Sequence, residues 1–282
     1  MPPTLTSQLD PLARASLEFA LGLRRARVEA SRARRGLTAL RPRPPLGIER
    51  SFTRELVRVS REFSTTIGDV ILPQLRGVQI GDLFPLEQDF QNIRLRLAER
   101  VSAFEASPIL DQYGQRLNRH NLEDTARVLR LSPDNLPQQQ RDVLESFRRE
   151  NVELIGSIAE TQLDQVQDVV RTATRTGRRV EQLAKDVEGR FGVSESRARL
   201  IARDQVAKAN AQMTQVRQTA AGITRYIWNT SGDERVRETH AELNGQTFEW
   251  TDPPVTNANG DRNHPGEDYS CRCVALPVLD LD

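Results

Sequence analysis

The chain has 282 residues, and 40 Lys and Arg oppose 39 Asp and Glu, so its formal net charge is +1. A protein that coats nucleic acid along its whole length is usually strongly basic, and this balance excludes that class. Two cysteines are too few for a disulfide-stabilised secreted scaffold. No apolar run approaches the ~20 residues that span a bilayer. The composition predicts a soluble protein of a reducing cytoplasm, with a lean core and no membrane contact.

The positive charge is concentrated in residues 1–50, which hold ten Arg and four acidic residues and so carry +6, while the rest of the chain carries −5. Apolar spacing predicts a short amphipathic helix over 12–23, a basic tail follows it, and the proline-rich segment 41–47 is predicted to be extended. Two interpretations stay open: an exposed helix end, or an arm that contacts DNA phosphates or an acidic partner. The residues that would contact DNA are Arg24, Arg25, Arg27, Arg32, Arg34 and Arg35.

Residues 51–176 are predicted to be helical nearly throughout. Apolar side chains recur every three or four residues in four stretches, which are 56–71 (closed by Pro73), 86–104, 122–131 and 143–170. Long helices with a single apolar stripe pack on each other or on another subunit. This part is therefore predicted to form a helical stalk or bundle.

The pair Thr176 and Gly177 is predicted to separate the stalk from a C-terminal domain. A helix over 180–191 is expected to end at Gly192, and Ser194 is expected to be the N-cap of the next helix. That second helix has one narrow face of mostly small side chains, which would let two helices approach closely. The face consists of Ala198, Ile201, Ala202, Gln205, Ala209, Met213 and Val216.

After Gly222 the pattern changes from helical spacing to alternation, with strands predicted over 223–228, 245–250 and 272–278. The predicted fold class is therefore α+β and mostly α. It comprises an elongated helical N-terminal half and a small C-terminal α+β domain with short antiparallel strands. The predicted domains are 1–50 for the Arg-rich arm and Pro linker, 51–176 for the helical stalk or bundle, and 177–282 for the C-terminal domain.

Both Trp, both Cys and two of the three His lie within the last 60 residues. Residues two apart in an extended segment point to the same face, so the thiols of Cys271 and Cys273 can converge. With His240 and His264 they would form a Cys₂His₂ set, which is a normal structural zinc site and would stabilise a small domain. Two alternatives stay open: buried free thiols with His240 capping or pairing with a carboxylate, and a strained local disulfide.

Two charged residues ahead of His240 are interpreted as structural. Asp233 is predicted to cap a helix over 236–243, and Arg235 is predicted to hold a carboxylate such as Glu267 or Asp268. A hydrolase would use His240 as base and Asp233 as its orienter. No recognisable nucleophile motif, phosphate-binding glycine motif or His-Glu-x-x-His motif is present, which favours a protein that is not an enzyme.

Several motifs follow one another in a characteristic order along the second half of the chain. They are Arg-Ala-Arg-Leu-Ile-Ala-Arg at 197–203, Ala-Gly-Ile at 221–223, Trp-Asn-Thr at 228–230, Asp-Glu-Arg-Val-Arg at 233–237, His240, Leu-Asn-Gly ending at Gly245, and Pro-Gly-Glu-Asp-Tyr-Ser-Cys-Arg-Cys at 265–273. This order resembles the phage Mu protein F-like family of minor head, or head morphogenesis, proteins, over roughly residues 150–278. The chain departs from the common Ile-Ala-Arg-Thr-Glu of that family at Asp204 and Gln205.

The resemblance implies a minor capsid protein of a tailed phage or prophage, assembled in the host cytoplasm and placed in the capsid interior near the portal. It implies portal protein and the major capsid or scaffolding protein as partners, several copies per particle, and contact with packaged DNA. It does not imply an enzymatic activity. A DNA-binding or DNA-processing factor is the alternative function, and a His-dependent hydrolase is a more remote one.

Overall fold

The computed structural model describes residues 40–75, 86–176 and 180–279. The predicted helix over 12–23 and the arginines predicted to contact DNA (Arg24, Arg25, Arg27, Arg32, Arg34 and Arg35) lie outside these residues. The α-helices that the model describes are α1 (Leu46–Leu75), α2 (Leu86–Ala106), α3 (Ile109–Leu129), α4 (Arg141–Thr176), α5 (Val180–Ala220) and α6 (Glu238–Leu243). The strands are β1 (Arg225–Asn229), β2 (Thr247–Glu249) and β3 (Val274–Pro277), and a 3₁₀ turn spans Pro133–Asn135.

The predicted fold class is confirmed, because 69% of the structure is helical and a small antiparallel sheet lies near the C-terminus. Helices α2 and α4 and all three strands occupy their predicted stretches, whereas α3 begins well before Leu122. None of the described helices combines the length and apolarity needed to cross a bilayer.

The predicted extended segment is shorter than expected, since Leu46 and Gly47 already belong to α1. Pro44 and Pro45 stand directly before that helix, where a missing backbone N–H does no harm. At its other end α1 continues two residues beyond Pro73. The proline therefore lies in the last turn instead of closing the helix itself.

The predicted helix break at Gly192 is wrong. Helix α5 is continuous through this position, and the Ser194 hydroxyl donates to the Arg190 carbonyl at 3.3 Å, one turn back. Such back-bonding is how serine is accommodated inside a helix. A glycine in a helix interior costs about 1 kcal/mol relative to alanine, and burial of side chains on both sides of it, at Val187 and Ala198, offsets that cost.

The chain forms two compact units that interleave along the sequence. Among the described residues, the helical unit comprises 46–75, 86–116, 144–176 and 180–206, and the sheet unit comprises 40–45, 117–143 and 207–279. The domains predicted from the sequence are consecutive segments with boundaries at 50 and 176. They stay a prediction.

The core of the helical unit is built from the apolar stripes of its helices. The ring of Phe52 on α1 lies 4.9 Å from that of Tyr113 on α3 and 5.6 Å from that of Phe147 on α4. One buried polar contact joins the same layers, because the Gln162 amide donates to the Ser64 hydroxyl at 2.7 Å. A buried polar group needs such a partner to avoid a desolvation penalty.

The sheet unit contains a three-stranded antiparallel sheet with β1 in the centre and β2 and β3 beside it. Tyr226 and Trp228, two apart on β1, are fully buried because alternate residues of a strand share one face. They form a core cluster with Trp250, Cys271, Cys273 and Ala275. The thiols of the predicted metal site therefore lie inside the core of this unit.

The sheet unit also contains a fully buried arginine, Arg217. Nε of Arg217 donates to the Pro137 carbonyl at 3.1 Å, and its terminal nitrogens donate to the side-chain oxygens of Asn121 and Asn118 at 2.6 Å each. Burial lowers the pKa of Arg217 to about 10, so the guanidinium remains charged at neutral pH. Val216, the last residue of the predicted face of small side chains on α5, is 39% exposed.

Replacing Arg217 by Leu is expected to lower the free energy of unfolding by about 3 kcal/mol or more, because each buried acceptor left without a donor costs about 1–3 kcal/mol. Urea unfolding followed by circular dichroism measures the effect. Arg119→Leu, an exposed arginine of α3, is the matched control and should change the stability by less than about 0.5 kcal/mol. Equal stabilities of the two variants would contradict the role given to Arg217.

Candidate metal centre

Three of the four predicted ligands converge in the sheet unit. His240, Cys271 and Cys273 are all buried, and their ligand atoms lie within 4.8 Å of one another. His240 Nδ1 is 3.6 Å from each of the two sulfurs. A tetrahedral zinc ion with ordinary Zn–N and Zn–S bond lengths places nitrogen and sulfur about 3.5 Å apart. The two nitrogen–sulfur separations match this spacing, so the group could hold a metal ion.

The local backbone explains why these side chains meet. His240 lies on α6, and the two cysteines stand on the extended segment that leads into β3. Because the cysteines are two apart in extended backbone, both thiols point into the core while Arg272 between them is exposed. Both cysteines are free, so the alternative of a strained local disulfide is not formed.

The imidazole of His240 is oriented by a carboxylate. Asp268 Oδ2 lies 2.9 Å from Nε2, and the other oxygen of Asp268 accepts from the Asn263 amide at 2.9 Å. An ionised carboxylate only accepts hydrogen bonds, which assigns the proton of a neutral ring to Nε2 and leaves the lone pair of Nδ1 facing the sulfurs. Metal-binding histidines are typically held by such a carboxylate on their second nitrogen.

Backbone N–H groups surround the sulfur of Cys271. Those of Gly266 and Cys273 both lie 3.4 Å from it. The Cys273 thiol lowers the pKa of Cys271 most, and these two N–H groups, together with the His240 ring when its Nδ1 carries a proton, add to the effect. Hydrogen bonding to Cys271 and burial raise the pKa of Cys273. The pair therefore favours one thiolate and one thiol, and a metal would have to displace the remaining proton.

Gly266 is a functional position that the sequence analysis did not single out. Its φ is +94°, and an added Cβ would lie 3.0 Å from the Cβ of Ala211 and 3.5 Å from the Cys273 carbonyl. Only glycine fits both the left-handed backbone and the space. The dipeptide Pro265-Gly266, which marks a turn, was the available signal.

His264 does not join the other three predicted ligands. Its Nδ1 lies 3.0 Å from the Tyr226 hydroxyl and its Nε2 lies 3.2 Å from the Gln215 amide. Burial lowers the pKa of His264, which favours the neutral ring. Because each nitrogen faces an uncharged side chain away from the sulfurs, the structure supports a Cys₂His group in place of the predicted Cys₂His₂ set.

The predicted role of Asp233 as a helix cap is wrong. The N-cap position of α6 is Arg237, and no side chain caps the helix there. Asp233 instead accepts from the backbone N–H of Arg235 at 3.1 Å and pairs with Arg272 at 2.6 Å. An aspartate that bonds the backbone two residues ahead forms its own turn, and the helix therefore begins only at Glu238.

The predicted pairing of Arg235 with Glu267 or Asp268 is not formed. Glu267 accepts from the backbone N–H of His264 at 2.8 Å, and Asp268 is engaged by His240. Gly245, the last residue of the Leu-Asn-Gly motif, lies in a turn. Its φ is +80°, and its N–H donates to the Trp228 carbonyl at 2.8 Å in the turn that precedes β2.

The same residues also form a nucleophile, base and carboxylate in series, with Cys271, His240 and Asp268 in these roles. The orienter is Asp268 and not Asp233, which the sequence analysis assigned. Two observations favour a metal site over acyl transfer. A second sulfur lies equally close to His240, and the cavity at this site has a volume of about 20 Å³, room for one oxygen atom and not for a carbonyl carbon with its substituents beside Cys271.

Comparison with known proteins adds an independent finding. Residues 164–276 match the family described as "Phage Mu protein F like protein", which confirms the resemblance inferred from the motifs. A protein of Haemophilus influenzae described as uncharacterized is 43% identical over 157 residues, which is 56% of this chain and 33% of that protein. The chain thus spans about a third of the length of this curated relative. No solved structure matches the chain.

The close packing at Gly266 predicts that alanine at this position destabilises the protein more than alanine at Gly260, which serves as the control. Gly266→Ala and Gly260→Ala both place an alanine at positive φ, +94° and +86°, which costs about 1–2 kcal/mol. Only the first also meets a neighbour, since an added Cβ at Gly260 has open space. In urea unfolding, the free energy of unfolding of Gly266→Ala should be lower than that of Gly260→Ala by a further ~1–3 kcal/mol. Equal losses would contradict the close approach.

Proposed function

Because residues 164–276 match the phage Mu protein F-like family, we propose that this protein is a minor head component of a tailed phage or prophage and acts in head morphogenesis. The family match carries the proposal, and it includes every residue of the candidate metal centre. The arrangement at that centre, with its cavity of about 20 Å³, favours a structural role over an enzymatic one.

We propose further that the protein acts inside the capsid near the portal, in several copies per particle. Its partners in this proposal are portal protein and the major capsid or scaffolding protein. Packaged DNA is a further partner, contacted by the arm that contains Arg24, Arg25, Arg27, Arg32, Arg34 and Arg35. The excess charge of +6 in residues 1–50 supports this last contact, since arginine binds phosphate bidentately.

Fractionation of phage lysates tests the assembly role. The tagged chain is expected to co-sediment with purified heads, and to do so at much lower levels in a lysate that lacks portal protein. Free protein that is absent from heads would contradict the proposal.

A chain that lacks residues 1–47 separates assembly from DNA contact, because it removes the basic arm and leaves nearly all of the described residues. It should still enter heads while it loses salt-dependent DNA binding. Salt-dependent binding that persists after the deletion would contradict the role of the arm.

We also propose that His240, Cys271 and Cys273 hold a zinc ion in the folded protein. The donor set suits zinc, because two thiolates neutralise its charge and a neutral imidazole completes three soft ligands. The ion would join the short helix α6 to the segment before β3 and would stabilise the sheet unit. A small β-sheet with few apolar residues gains much of its stability from such a link.

Elemental analysis of the purified chain should find about one zinc per molecule. His240→Gln should abolish zinc binding and lower the melting temperature, because it removes one of three ligands. His264→Gln is the matched control and should retain the metal, since this ring faces Tyr226 and Gln215. A zinc content well below one without chelators, or equal loss of zinc in both variants, would contradict the three-ligand site.

A further inference from the structure

The proposed zinc site opens onto a cleft lined by arginines. The cleft has a volume of about 20 Å³, and its walls include all three ligand residues together with Arg235, Arg237 and Arg272. All three arginines are exposed. A cavity of this size admits a single oxygen atom or water next to the ligands.

Three protein ligands leave one position of a tetrahedral zinc ion open. The two other candidates near the site are turned away from it. Asp268 binds the far nitrogen of the His240 ring, and His264 is held by Tyr226 and Gln215. Among the described residues, no further His, Cys, Asp or Glu joins the group that can hold a metal. All three ligand residues line the cleft, which is thus the route by which a further ligand would reach the open position.

Resting on the zinc site proposed above, we propose that the fourth coordination position takes a carboxylate oxygen from an acidic side chain of a partner protein. Two thiolates already neutralise the zinc ion, so a carboxylate adds one negative charge. The arginines of the cleft offset that charge, and a guanidinium can hold the second carboxylate oxygen.

A protein is the source that we propose for the carboxylate, because an exposed tyrosine stands next in the chain to Ser270, which lines the cleft. Arg237 donates to the backbone carbonyl of Tyr269, and the Tyr269 residue is 60% exposed. Arginine and tyrosine are enriched in protein interfaces and at their energetic centres. Arg272 pairs with Asp233 at 2.6 Å. An incoming carboxylate would replace Asp233 as the partner of Arg272, so binding exchanges one ion pair for another.

The test uses the full chain with Co²⁺ in place of zinc, whose visible spectrum reports the ligands of the metal. Acetate and the peptide Gly-Gly-Glu-Gly-Gly are titrated as probes. We expect a saturable spectral change with both, and at least fivefold weaker binding of both in Arg235→Gln. Arg272→Gln is a second test at a different wall of the cleft. Arg262→Gln, an exposed arginine paired with Asp252 and outside the cleft, should bind as the unaltered chain does.

The source of the carboxylate is tested by Tyr269→Ala. This change should weaken binding of the peptide by at least threefold and leave the affinity for acetate unchanged, because only the peptide reaches the rim. Inorganic phosphate and a short DNA duplex are the competing probes. A spectral response to these, with none to acetate, would overturn the proposal.

The metal content is measured first, because it separates failure of the metal site from failure of the open coordination position. One cobalt per chain with a spectrum that no carboxylate changes would overturn the open position while the metal centre stands. A chain that binds no cobalt would overturn both.

Discussion

The buried guanidinium of Arg217 is the constraint on which the sheet unit depends. A charge without a carboxylate partner is tolerated in a core only when each donor finds an acceptor, and here two asparagines of α3 and the Pro137 carbonyl supply them. The next residue, Gln218, donates to the Ala275 carbonyl on β3 at 3.4 Å. One turn of α5 thus fixes both α3 and the strand that follows Cys273.

That placement gives the candidate metal centre its geometry. The segment before β3 aligns two sulfurs, and α6 presents one imidazole to them at equal distances of 3.6 Å. Asp268 selects the nitrogen that faces the sulfurs, and Gly266 lets the backbone approach closely enough to donate to Cys271. A helix as short as α6 has little stability of its own, so a metal ion there would act as a structural link between segments.

Features that repeat along the chain were predictable. The apolar stripes located α2 and α4, and the alternation of Tyr226 and Trp228 located β1, because helical and strand periods are local properties. The convergence of Cys271 and Cys273 was predictable for the same reason. The continuity of α5 through Gly192 was not, since burial on both sides overrides the weak helix propensity of one glycine. The burial of Arg217 likewise required acceptors from distant segments.

The sequence by itself determined the fold class, the motif order that resembles the phage Mu protein F-like family, and the donor types of a soft metal site. It could not distinguish His240 from His264, because both are near the cysteines in the chain and have the same chemistry. Only the tertiary structure decided between them. Asp268 turns one ring toward the sulfurs, whereas Tyr226 and Gln215 hold the other away. Which nitrogen is available depends on hydrogen-bond partners that the fold brings together from separate segments.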